Sequence, residues 1–216
     1  MLDQYYTVKH EGVDEQVIQK SRFIGYVKRV ETEEAAQQFI SQIKKKHHDA
    51  THNCSAYMIG EHDQLQKAND DGEPSGTAGV PILEVLKKRQ LKDTVVVITR
   101  YFGGIKLGAG GLIRAYASTT SLAINSTGVV ERSLMQEVIL TIDYPLLGKV
   151  ENELQQSSFI LDKIEYLAQV TLHVYVKKDE TNKFKDWLIN LTNSQVILTD
   201  GDVKYIEVDL PITNDL

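Results

Sequence analysis

The fold is decided by the stretch Val95-Val96-Val97-Ile98-Thr99-Arg100-Tyr101-Phe102-Gly103-Gly104-Ile105-Lys106-Leu107-Gly108-Ala109-Gly110-Gly111-Leu112-Ile113-Arg114-Ala115-Tyr116. Val95 to Ile98 is apolar at every position, so both faces need cover, and the spacing predicts a central strand between two layers. Five glycines follow in nine residues, from Gly103 to Gly111. Leu112, Ala115, Tyr116, Thr119, Leu122 and Ala123 then keep helical spacing. The reading is strand, glycine loop, helix. Without Cβ atoms the loop amides can face outward, and the helix adds its free N–H groups and positive end. Arg100, Lys106 and Arg114 bring positive charge. Gly103, Gly104, Gly108, Gly110 and Gly111 with these three cations therefore form the candidate phosphate or anion site. It is not a Walker A loop, because Ala109-Gly110 stand where Lys-Ser/Thr belongs, and Ile113 replaces the third glycine of the dinucleotide fingerprint. The alternative is a tight turn that lets helix and sheet pack closely.

Upstream, Tyr5–His10 and Ser21–Val30 read as extended segments. Thr32 is a helix N-cap with Glu33 and Glu34 in the first turn. Ala36, Phe39, Ile40 and Ile43 line one face of that helix, and Lys44-Lys45-Lys46 suits its negative end. His52–Ile59 is a further strand, and 60–71 a polar stretch. A short helix carrying Ile82, Leu83, Val85 and Leu86 ends at Lys87-Lys88-Arg89. Downstream, polar residues near 132–136 suggest a break. Beyond them come a strand at 138–142, a helix opened by Pro145, strands at 159–166 and 170–176, a helix with Phe184, Trp187, Leu188 and Leu191, and β structure at 195–198 and 203–210. That order is βαββαβ, the ferredoxin-like motif. The expected organisation is α+β: a mixed α/β domain at 1–134 and a ferredoxin-like domain at 137–216.

The chain has 216 residues, 24 Lys+Arg, 30 Asp+Glu and a formal charge of −6. With 42% hydrophobic and 25% charged residues it is an ordinary globular composition. Residues 1–134 hold 17 basic and 16 acidic residues, which leaves 7 basic and 14 acidic for the remainder. The acidic total excludes blanket nucleic-acid binding but not a local basic face on the near-neutral first domain. No apolar run reaches membrane-spanning length, and the first residues carry no secretory pattern. The one cysteine excludes an internal disulfide. A cytoplasmic setting without membrane contact is expected.

Asp70-Asp71-Gly72-Glu73-Pro74-Ser75-Gly76 is the second cluster with chemistry in it. Asp70, Asp71 and Glu73 beside Ser75 either bind a hard cation or transfer protons, or else form a polar turn whose Ser75 or Thr77 caps the next helix. The order of acids is not that of an EF-hand. His52 and Cys54 share a strand face, two residues apart, which is too parallel for a nucleophile–base pair, so they read as supporting strand residues. His47, His48 and His52 lack carboxylates at ligand spacing, and no metal or other cofactor is expected. The two basic triplets are most simply helix ends.

The two long motifs, Asp70 to Gly79 and Arg100 to Tyr116, together with His52-Asn53-Cys54-Ser55-Ala56-Tyr57, resemble the YigZ/IMPACT family over the whole chain. The resemblance implies an N-terminal domain folded like the second domain of ribosomal protein S-five and a C-terminal domain akin to late domains of elongation factor G. It also implies a link to translation, because eukaryotic relatives act in control of initiation by protein–protein competition. Two readings follow. In the first, the chain is a non-catalytic, translation-associated protein. Its glycine loop contacts RNA phosphate, the ribosome or a translation-factor partner, and its acidic C-terminal domain meets a protein. In the second, it is an enzyme acting on a nucleotide or phosphorylated small molecule, with the loop holding phosphate and Asp70, Asp71 or Glu73 supplying acid, base or cation ligands. Convergence of those carboxylates in a closed pocket favours the second reading, and an open basic surface favours the first.

Overall fold

A computed structural model of the chain describes residues 1–211. The chain divides into two compact units. The larger takes Tyr5–Glu131 and 208–211, and the second takes Met1–Gln4 and Arg132–Glu207. Among the described residues there are ten strands and five α-helices, with one short 3-10 turn.

The larger unit opens with β1 (Gln4–Val8), where Tyr6 bridges to Leu91. A five-stranded sheet follows in the order β2–β3–β6–β4–β5. Its strands are β2 (Gly12–Ile18), β3 (Ser21–Arg29), β4 (His52–Ile59), β5 (Leu65–Asn69) and β6 (Thr94–Tyr101). Every pairing in it is antiparallel. The strand expected to be central is central, and its alternation explains the layers. Val95 and Val97 point to α1 (Glu33–Lys46), packing with Phe39, Ile40 and Ile43. Val96 and Ile98 point the other way, toward α2 (Gly79–Lys88) and α3 (Ala109–Thr127), packing with Ile82, Leu86, Leu112 and Tyr116. Thr32 caps α1 as its position requires, its hydroxyl accepting the Ala35 N–H at 3.2 Å.

Two strands escape the sequence reading. β2 carries Asp14, Glu15 and Gln16 on an edge with a wet face, and β5 is an exposed edge strand within the stretch read as a polar connection. At 132–136 the division between the units falls at the edge of the expected range, but the strand itself does not break. β7 (Val129–Ile142) runs unbroken through it and passes from the larger unit to the second at 131/132. The polar side chains taken for a linker are partnered strand residues. Arg132 meets Glu207, Gln136 donates to the Gly201 carbonyl, and Glu137 bonds His173.

The second unit continues with α4 (Tyr144–Gln155), β8 (Ile160–Tyr166), β9 (Val170–Lys177), α5 (Thr181–Leu191) and β10 (Ile197–Asp209). The two terminal segments expected as separate strands are one strand, β10. β7 pairs with both β9 and β10, and β8 pairs with β9, so the order β10–β7–β9–β8 completes the ferredoxin-like arrangement. Val138, Leu140, Leu172 and Val174 pack there against Val150, Leu154, Phe184 and Leu188.

Candidate functional site

Both long motifs lie in the larger unit, where β4, β6 and α3 converge. Asp71, Gly72 and Gly76 have positive φ, which folds the acidic segment into consecutive tight turns before α2. Its three carboxylates then point in three directions. Asp70 accepts the amides of Gly76, Ala78 and Gly79 at 2.8 to 3.0 Å and so caps α2 from eight residues upstream. Burial pushes the Asp70 carboxyl up, but the amide bonds from Gly76, Gly79 and Ala78 outweigh it and hold the carboxyl below the ordinary range. Asp71 accepts the Asn53 amide and pairs with Lys44, both at 2.6 Å. Glu73 turns inward, 8% exposed, and meets Arg100, itself 5% exposed, at 2.5 Å.

The shared cation or acid site expected of Asp70, Asp71, Glu73 and Ser75 is thus not assembled. The carboxylates diverge, and Ser75 is solvent-exposed. Among the described residues no group of three or more His, Cys, Asp and Glu is arranged to hold a metal. The helix cap expected from Ser75 or Thr77 comes from Asp70, and the Thr77 hydroxyl donates to the Pro74 carbonyl.

Arg100 also leaves the anion-facing set. Its guanidinium lies between the rings of Phe23 and Phe102, paired to Glu73, with a second contact to Ser21 Oγ at 3.4 Å. Glu73 accepts the Tyr116 hydroxyl at 2.8 Å, and Cys54 Sγ lies 3.3 Å from that hydroxyl while its S–H faces the Asp70 carbonyl at 3.0 Å. One buried polar chain therefore links β6, the acidic turn, α3 and β4. Burial pushes the Cys54 thiol up to about 12, and burial together with Cys54 and Glu73 raises Tyr116 further. Both shifts favour the neutral thiol and phenol. His52 donates Nδ1–H to the Asp71 carbonyl at 2.8 Å, and its Nε2 lies 3.8 Å from Glu73 Oε2. Sequence reasoning missed Ser21, which carries both Arg100 and the Gly103 amide, and it saw Tyr116 only as a helix-face residue.

The glycine loop behaves differently. Gly103 passes so near Lys20 that a Cβ would fall 1.9 Å from its carbonyl oxygen, and its amide bonds Ser21 Oγ at 3.2 Å. Beyond that anchor the loop opens outward. Gly104 has φ +84 with open space around it. Gly108 is the N-cap of α3 and supplies no side-chain bond; its carbonyl accepts the amides of Gly111 and Leu112. Those two amides are closed, whereas Ala109 and Gly110 present first-turn N–H groups. Lys106 and Arg114 are exposed beside them, together with Phe102 (46%) and Ile105 (41%).

Both motifs fall within one known family model, and a second model matches further along the chain. The Impact N-terminal domain matches residues 19–124, and a domain of unknown function, DUF1949, matches 140–195. Over 207 residues the chain is 59% identical to the IMPACT family member YvyE of Bacillus subtilis, covering 96% of this chain and 95% of that protein. The chain belongs to the IMPACT family. Family member YigZ of Escherichia coli is 33% identical over 183 residues, 84% of this chain and 90% of that one. The protein IMPACT homolog of Dictyostelium discoideum is 36% identical over 107 residues, 48% of this chain and 30% of its own length. A crystal structure described only as that of a hypothetical protein shares the fold, with 29% identity and a TM-score of 0.60 over 94% of this chain and 99% of its own. No helix among the described residues is long and apolar enough to cross a membrane.

Proposed function

We propose that this IMPACT family member is a non-catalytic binding protein of the translation system, and that its glycine loop contacts RNA phosphate. The observation that carries the reading is the contrast within the site. Every carboxylate of the acidic motif is held by an internal partner, and the thiol and phenol stay protonated, so the groups an enzyme would use face inward. The outward-facing groups are cations, first-turn amides and aromatic or aliphatic surface: Lys106, Arg114, Ala109 and Gly110 amides, Phe102 and Ile105. That set suits an anionic polymer with stackable bases better than a small closed substrate. The link to translation rests on the family resemblance.

Fluorescence anisotropy with a labelled single-stranded RNA tests it on the full chain. Binding is expected at about 50 mM salt, where screening is weak. Affinity should fall with salt at a log–log slope of about −0.7 per phosphate contact, so Lys106→Ala with Arg114→Ala flattens the slope by about 1.4. Absent binding at that salt, or a double variant with an unchanged slope, removes the loop as an RNA site and returns the phosphorylated small-molecule reading.

A further inference from the structure

A second cavity lies in the larger unit, away from the polar chain just described. It is a groove of about 750 Å³ between α2 and α3, mostly apolar, lined also by Tyr6, Val129 and Pro211. That volume is in the range of small-molecule sites, which are typically about 300 to 1,000 Å³. Its form follows from α3. Ile113, Ala117, Ser121 and Asn125 recur every four residues and line one side of the groove, and the small pair in the middle leaves the space that larger residues would fill. Val80 and Val85 of α2 line the other side, and Val80 and Ile113 are exposed at the mouth although both are large aliphatics.

The charge is asymmetric. Arg89 lines the end near Asn125 and donates to Asn125 Oδ1 at 2.7 Å, a neutral partner. Lys88 lines the same end and is exposed. Among the described residues the one acidic side chain lining the groove, Glu84, is paired with Lys87 at 3.1 Å. Cations at the end of α2 answer its negative dipole end. That role alone requires neither an open apolar cavity beside them nor an arginine held by an amide.

We propose that this groove binds a free amphipathic carboxylate, with its hydrocarbon chain along Val80, Val85, Ile113 and Ala117 and its carboxylate at Arg89 and Lys88. The ligand is defined by chemistry: an apolar body to match the walls and one negative charge to match Lys88 and Arg89. The site is independent of the glycine loop, and it stands or falls separately.

Isothermal titration calorimetry on the full chain tests it, with decanoate as the probe and decanol as its uncharged counterpart. Decanoate is expected to bind with a Kd of about 10 to 100 μM and with a negative heat-capacity change, as burial of a hydrocarbon chain requires. Lys88→Gln with Arg89→Gln should weaken decanoate roughly tenfold and leave decanol unchanged, the loss of one charge-assisted contact. Ala117→Phe, which fills the groove from a half-buried position on α3, should abolish uptake of both while circular dichroism shows the fold intact. The proposal is overturned if the full chain takes up no decanoate, or if decanoate binds equally well in Ala117→Phe. It is also overturned if the chain binds phosphatidylcholine vesicles but not the monomeric acid, or if uptake occurs only in a chain ending at Pro211, which makes residues 212–216 the occupant.

Discussion

The acidic turn at 70–79 and the glycine loop at 103–111 look alike in sequence. Each is short, glycine-containing, charged, and placed just before a helix. In the structure they do opposite things. The acidic turn directs its charges inward, where Asp70 caps α2 and Glu73 neutralises a buried arginine. The glycine loop is fixed at one point, Gly103 against Ser21, and leaves its cations and apolar side chains in solvent. The difference teaches that density of charge in a motif does not reveal its direction. What separates the two is the presence of a buried partner: Arg100 on β6 draws Glu73 in, and nothing comparable draws in Lys106 or Arg114.

The contrast is broken most severely by removing that partner. Glu73→Gln leaves Arg100 buried without a counter-charge, so a loss of about 3 to 5 kcal/mol in unfolding free energy is expected, measurable by denaturant titration. A near-neutral result would mean that the pair is solvated and that the turn is not anchored as described. Asp70→Ala removes three amide bonds from the start of α2 and should cost about 1 to 2 kcal/mol. The same carboxyl sits below its ordinary pKa in the folded chain, so its contribution is present above the unfolded value of about 4 and is lost as pH falls through the folded value. Asp70→Asn should therefore flatten the acid limb of the stability curve, and an unchanged acid limb would place the pH dependence elsewhere.

On the other side of the comparison the effects shrink. Gly108→Ala meets open space at φ −64 and should cost less than about 1 kcal/mol, the difference between glycine and alanine at an N-cap. Lys106→Ala with Arg114→Ala should leave stability within about 0.5 kcal/mol while changing RNA affinity, so a large drop in melting temperature would make the loop structural after all. Cys54 sharpens the inward half in another way. A buried thiol near 12 should stay unreactive to a disulfide reagent at pH 8 until the chain unfolds, and prompt labelling of the native chain would show that the polar chain opens.

Much of this fold was legible because hydrophobic periods are direct. Val95 to Ile98 told the position of β6 without reference to anything else, and Thr32 with Glu33 and Glu34 marked the start of α1. β5 was not legible, because an exposed edge strand with Leu65, Gln66, Lys67, Ala68 and Asn69 carries no alternation to read. β7 was not read through 132–136 because Arg132 and Gln136 are polar, and their partners lie far along the chain. The candidate site failed in the same manner. Arg100 and Glu73 are 27 positions apart, and only the folded chain brings them together. Periodicity reports local burial. It carries no signal for a long-range ion pair.

The route of the chain between the two units has a bearing on how the protein is made. Residues 208–211 return to the larger unit, where the Leu210 amide bonds the Val129 carbonyl and Lys9 pairs with Asp209. A ribosome delivers those residues only after all of β7 to β10 has been synthesised. The larger unit, although most of it is made first, is sealed last. The ferredoxin-like segment has to be accommodated while its predecessor still lacks a strand end, so birth order and completion order are reversed.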